Sequence, residues 1–212
     1  MKVLLINGSP NERGCTFTAL SEAASALNGE GVQTEIFHIG KGPVQGCIGC
    51  RYCATAGKCV YDNDVVSAAL EKARSSDGFI FGSPVYYAAV SGQMTAFLNR
   101  LFFSGGGVFA HKPGAATVSC RRAGSTAALE QLNKYMLISQ MILVGSQYWP
   151  MVHGNDPEEV RRDLEGMQVM RVLGRNMAWI LKSIQAGQNA GVGLPQPEAK
   201  RFRTNFIEQG RR

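Results

Sequence analysis

The sequence predicts an α/β protein: a doubly wound, five-stranded parallel sheet with helices on both faces. Three observations carry that expectation. Apolar runs of strand length alternate with helical stretches along the chain. The first run, Lys2-Val3-Leu4-Leu5-Ile6, is nearly continuous, as in a strand covered on both faces. Loops rich in Gly, Ser, Thr, Arg or aromatics follow the first, third and fourth runs, where open parallel sheets bind ligands.

The elements follow in order. The first strand stops at the turn chemistry of Asn7-Gly8-Ser9-Pro10, and a helix covers Phe17 to Leu27. Val32 to Ile39 alternates enough to be a more exposed strand. Residues 40–61 are a long loop holding four cysteines. Asp62-Asn63-Asp64 caps a helix whose stripe is Val65, Val66, Ala69, Leu70 and Ala73. Gly78 to Phe81 is the third strand, broken by Gly82-Ser83-Pro84. A helix opening at Ser91-Gly92 runs through Met94, Phe97, Leu98 and Leu101 to a Gly-rich loop. Ala115 to Cys120 is the fourth strand, Gly124-Ser125-Thr126 opens the next helix, and Met141 to Val144 is the fifth strand.

The last helix has the fullest start signal. Asp156 caps it, Pro157 suits its first position and Glu159 completes a capping box. Its apolar residues repeat from Val160 to Ile184, and the methionines among them read as core or subunit interface. Residues 1–184 are thus expected to form one domain and 185–212 an extended basic tail.

Composition narrows the class. The chain has 212 residues, 45% hydrophobic and 18% charged, enough for one domain with a sizeable core. No apolar run approaches the roughly 20 residues of a membrane span. Met1-Lys2 leads directly into a strand without a signal-peptide pattern, so a cytoplasmic protein is expected. Six cysteines in such a chain point to metal binding or catalysis before disulfides. Much of the net charge of +6 lies in the tail from Lys200. A solvated tail is the favoured reading, ahead of a subunit contact through Phe202 and Phe206. Nucleic-acid binding comes last, because no recognition motif accompanies the charge.

The first loop, GSPNERGCTFT, has the makings of a phosphate cradle: hydroxyls, a close-approach glycine and a helix N-terminus. It has neither the P-loop ending nor G-x-G-x-x-G, and an ordinary strand–helix turn fits it equally. The loops GSPVYYAAVSG and SCRRAGST tip the balance toward an anionic, partly aromatic ligand.

These three loops resemble the FMN-binding loops of the NAD(P)H-dependent FMN reductase family, over roughly Met1 to Ile184. The resemblance implies a flavodoxin-like fold with strand order 2-1-3-4-5. By it, Ser9, Asn11, Arg13, Cys15, Thr16 and Thr18 surround the FMN phosphate, with Cys15 where Asn is usual. Pro84, Val85, Tyr86 and Tyr87 run along the isoalloxazine edge. Cys120, Arg121, Arg122, Gly124 and Ser125 close the third side, at most one arginine pointing inward; Cys120 itself reads as a core thiol. Asn99-Arg100 stands where the family often carries Asp-Arg. Arg100 is assigned a structural ion pair and no chemistry.

Cys47-x2-Cys50-x2-Cys53-x5-Cys59 is the sharpest motif. It resembles ferredoxin ligation and, in its spacing, the iron–sulfur flavoprotein branch of the family, which implies a [4Fe-4S] cluster near FMN. The residues alone leave open a zinc ion, disulfides or a loop that binds nothing. Gln147 to Gly154 reads as a loop at the ligand-binding end of the fifth strand, with His153 a weak candidate proton donor; no catalytic residue is assigned. The resemblance implies an FMN-dependent NAD(P)H oxidoreductase, a homodimer or homotetramer. Its acceptor is a small molecule or a ferredoxin-like protein. The alternative is an electron carrier or redox sensor without turnover.

Overall fold

A computed structural model describes residues 1–200 and 202, so Phe206 and most of the segment from Lys200 lie outside the described residues. The elements are β1 (Lys2–Asn7), α1 (Cys15–Gly29), β2 (Gln33–His38), α2 (Cys53–Ala56), α3 (Val65–Arg74), β3 (Gly78–Tyr86), β4 (Ala89–Val90), α4 (Gly92–Gly105), β5 (Pro113–Cys120), α5 (Ser125–Ile138), β6 (Ile142–Leu143), β7 (Met151–His153), α6 (Pro157–Arg162) and α7 (Leu164–Asn189). The sheet path is β2-β1-β3-β5-β6, with β4 against β3 and β7 against β5. Every pairing is parallel except the β3–β4 hairpin. Without the two additions, the path is the expected 2-1-3-4-5.

Alternate residues of β1 enter different cores because successive side chains leave opposite faces of a strand. Leu4 and Ile6 join Phe79 and Phe81 beneath α3, α4 and α5. Val3 and Leu5 join Ile80 and Ala115 beneath α1 and α7. Met167, Met170 and Met177 are buried in that second core, so the methionine stripe packs within the chain.

Three expectations need correction. The third strand continues through Gly82-Ser83-Pro84 to Tyr86. β1 ends at Asn7, opposite Gly82, so Pro84 lies where that edge needs no further ladder N–H. The fifth strand is split. Ile142-Leu143 pairs with Pro113-Gly114, and Met151 to His153 pairs with Val118 to Cys120. Residues 144–150 leave the sheet between them, held by Asn176 Nδ2 donating to Gly145 O at 2.9 Å and Ser146 Oγ to Val169 O at 2.7 Å. A cavity of about 460 Å³ opens there, lined among others by Leu129, Tyr148 and Trp149. The last helix is broken at Asp163, whose ψ of 81° is not helical and whose carboxylate caps α7 through Gly166 N at 2.9 Å. α7 then runs past Gln185 to Asn189, where an extended segment was expected.

Candidate functional site

The loop after β1 is built by its own polar groups. Asn7 Oδ1 accepts from Ser9 N at 3.1 Å, and Asn7 Nδ2 donates to Glu12 O at 2.9 Å. Ser9 Oγ accepts from Asn11 N at 3.1 Å. Ser9 O lies 2.7 Å from His38 Nε2, which must be the donor because a carbonyl only accepts. The loop therefore delivers the chain to Gly14, the N-cap of α1, whose first turn has neither a side-chain cap nor an acidic residue. That helix start keeps N–H groups and partial positive charge for an anion.

The predicted phosphate residues divide into two sets. Asn11 and Arg13 are exposed at the loop, and Ser9 is buried beneath it. Thr16 and Thr18 are buried, with their hydroxyls engaged inside the protein: Thr16 Oγ1 lies 2.8 Å from Ser119 Oγ, and Thr18 Oγ1 donates to Gly14 O at 3.2 Å. Cys15 Sγ approaches Gly154 O at 3.8 Å. Burial pushes the Cys15 thiol pKa up, and the Asp156 and Glu159 carboxylates add to that, so the thiol stays neutral.

The other two loops meet this one at the C-terminal edge of the sheet. Gly8 N donates to Gly82 O at 2.8 Å, and Ser91 Oγ to Gly8 O at 3.1 Å. β3 and β4 join through Tyr87 and Ala88, both in the left-handed region at φ 52° and 59°. That is a two-residue hairpin turn of the primed kind, which ordinarily favours Asn and Gly. Tyr86 is half-exposed and Tyr87 fully exposed, while Pro84 and Val85 are partly covered. Gly124 has φ 87°, and a Cβ there would stand 2.6 Å from Ala88 Cα, so the third loop backs directly onto the hairpin tip. Arg121 and Arg122 are exposed beside it, and Ser125 is buried. Cys120 is buried, as a core thiol should be, with its pKa raised by burial.

The cysteine loop forms a second concavity. Cys47, Cys50, Cys53 and Cys59 line one cavity of about 300 Å³ together with Ile48, Tyr61, Phe103 and Arg100. Among the described residues no three His, Cys, Asp or Glu side chains converge on a metal-sized point. Number and softness of the donors nevertheless fit an iron–sulfur cluster, since four thiols share one cavity.

Arg100 governs that cavity. Its side chain has no solvent exposure. Nε donates to Cys59 Sγ at 3.2 Å, Nη2 to Tyr61 O at 2.7 Å, and Nη1 to Asp64 and Gln45 O. The guanidinium also lies 5.1 Å from the Tyr61 ring centroid. Asp64 caps α3 by accepting from Val66 N and Ser67 N. Burial pushes the Asp64 carboxyl up, but bonds from Arg100 and the helix N–H groups outweigh it and hold the pKa below the ordinary value. The expected structural ion pair of Arg100 is present; its contact with a cysteine of the motif was missed. Its place three residues after Phe97 on the buried face of α4 was the available signal. Ser119 and Gly154 were placed in loops at the ligand-binding end, but their contacts were missed, as was Asp163. Ser119 and Gly154 reach Thr16 and Cys15 across 103 and 139 positions, whereas Asp163 acts close by, accepting from His153 N and Gly166 N.

Comparison with known proteins agrees with this geometry. The family model of NADPH-dependent FMN reductases matches residues 1–156. The chain belongs to that family. An iron–sulfur flavoprotein of Methanocaldococcus jannaschii is 34% identical over 194 residues, covering 87% of this chain and 100% of that one. A second from the same organism is 28% identical, covering 81% and 92%. Among solved structures, RosB with a bound formylriboflavin phosphate intermediate superposes with a TM-score of 0.67 at 14% identity, covering 100% of this chain and 98% of the other. A flavodoxin from the domain Archaea gives 0.59 at 15%, covering 86% and 99%. These structural likenesses show a flavodoxin-like fold for this member of the reductase family. No described helix is long and apolar enough to cross a membrane.

Proposed function

We propose that this member of the family is an FMN-dependent NAD(P)H oxidoreductase acting in the cytoplasm. It passes electrons from nicotinamide to a quinone, a flavin, a nitro or azo compound, or a ferredoxin-like protein. A [4Fe-4S] cluster on Cys47, Cys50, Cys53 and Cys59 would serve the last route. One observation carries the reading: the loops after β1, β3 and β5 meet around the uncapped N-terminus of α1. When bound, FMN takes electrons in pairs and releases them singly, and a cluster carries one at a time.

The chain's residues have separate tasks. Ser9, Asn11, Arg13 and the first-turn N–H groups of Cys15, Thr16 and Phe17 hold the phosphate dianion by charge-assisted bonds. Thr16 and Thr18 set the position of that turn through Ser119 and Gly14. Pro84 to Tyr87 cover the flavin edge, and Tyr87 shields it from water. Arg121 or Arg122 places positive charge beside the ring, and Gly124 and Ser125 seat that loop. Cys120 supports it from the core, its carbonyl accepting from Gly154 N at 3.1 Å. The assembly is proposed to be a homodimer or homotetramer, testable by light scattering.

Anaerobic purification followed by an absorbance spectrum and iron and sulfide assays tests the cofactors. Flavin and four irons per chain are expected. A colourless protein that does not bind added FMN would overturn the flavin reading. NADH and NADPH oxidation with menadione or free FMN then tests catalysis. A flavin-loaded protein that turns over neither nicotinamide is an electron carrier or sensor instead.

A further inference from the structure

We infer that Arg100 is a positioning residue for the cysteine cavity, and that its Nε–H bond to Cys59 raises the reduction potential of the cluster held there. This rests on the cluster reading above. Four features support it. Arg100 is the largest fully buried side chain of the described residues, and it projects from α4 into a loop otherwise short of regular structure. Its fork reaches three separate points of that loop, Gln45 O, Cys59 Sγ and Tyr61 O. Its ion-pair partner, Asp64, also caps α3, so that carboxylate's negative charge is shared between the guanidinium and a helix N-terminus. The remaining guanidinium edge faces a thiol of the motif.

A buried guanidinium at that edge has a defined electrostatic consequence. One-electron reduction adds negative charge to the thiolate sulfurs without making or breaking a bond to the arginine. A hydrogen bond to one of those sulfurs stabilises the reduced state more than the oxidised one, and such bonds are among the protein's levers on cluster potential. Lysine at this position keeps the charge for Asp64 but lacks the planar fork that spans three acceptors.

The test uses full-length protein reconstituted anaerobically, with iron, FMN and the cluster potential measured by EPR-monitored titration. Arg100→Lys is expected to keep FMN and cluster while its reduction becomes at least tenfold less favourable, a shift of about 59 mV to more negative potential for one electron. Arg100→Gln should shift it further. An unchanged potential in a fully iron-loaded variant overturns the inference and leaves the cluster reading intact. Wild-type protein that takes up no iron overturns both. Should either variant fail to fold, protein labelled with 15N-arginine answers the same question, with Arg51, the other arginine lining the cavity, replaced as Arg51→Lys. Pulsed EPR of its reduced cluster should show a 15N coupling, and the absence of one overturns the inference.

Discussion

Thr16 Oγ1 and Ser119 Oγ lie 2.8 Å apart, both residues buried, joining the first turn of α1 to the end of β5 directly beneath the site. The position of the proposed phosphate turn is therefore fixed from below by the sheet.

Thr16→Ala leaves the Ser119 hydroxyl without that partner and is expected to destabilise the fold by about 1–2 kcal/mol. Thr16→Ala/Ser119→Ala should lose less than the two single losses added together. Urea melts check both. Thr16→Ala should also weaken FMN retention more than Cys15→Ala, whose thiol makes a 3.8 Å contact to Gly154 O. Equal losses in flavin titrations would count against this division of roles.

The hairpin tip predicts opposite effects from adjacent loops. Ala88→Gly removes a left-handed Cβ and should raise stability by about 1 kcal/mol. Gly124→Ala forces a Cβ into the Ala88 backbone at positive φ and should lower the melting temperature. Tyr87→Ala, at a fully exposed side chain, should change stability by less than about 0.5 kcal/mol while weakening flavin binding. Unchanged flavin affinity there would remove Tyr87 from the site.

Asp64 predicts an acid limb. Its folded pKa lies below the ordinary value, so it binds fewer protons folded than unfolded. Its contribution is fully present above the unfolded pKa of about 4 and is lost as pH falls through the lower folded value. The gap in unfolding free energy between wild type and Asp64→Asn should hold steady near neutral pH and narrow in acid. A gap that widens in acid would contradict the assignment.

Asp163 caps α7 and accepts from His153 N at 2.8 Å, so it ties β7 to the helix break. Asp163→Ala should cost about 1–2 kcal/mol and speed hydrogen exchange at the Gly166 and His153 amides. Protection equal to wild type at both would refute the link.

The sequence by itself determined the alternating α/β order, the doubly buried first strand, the three loops after β1, β3 and β5, the cysteine spacing and the family. Each depends on period or turn chemistry within a few neighbouring residues: Val3 to Ile6 are apolar in a row, and Asn7-Gly8-Ser9-Pro10 is turn chemistry, although Gly82-Ser83-Pro84, the same tripeptide as Gly8-Ser9-Pro10, stays in β3. Tertiary structure alone decided the rest. Thr16 meets Ser119 across 103 positions, and Arg100 meets Cys59 across 41. The edge strand divides where residues 144–150 find partners on α7, and the last helix breaks where Asp163 serves both a cap and β7. For Thr16 and Arg100 the physical reason is that a buried polar group must find its partner wherever packing places one, and no local pattern records which distant residue that will be. The partners of residues 144–150 and of Asp163 are likewise set by packing, not by the pattern around them.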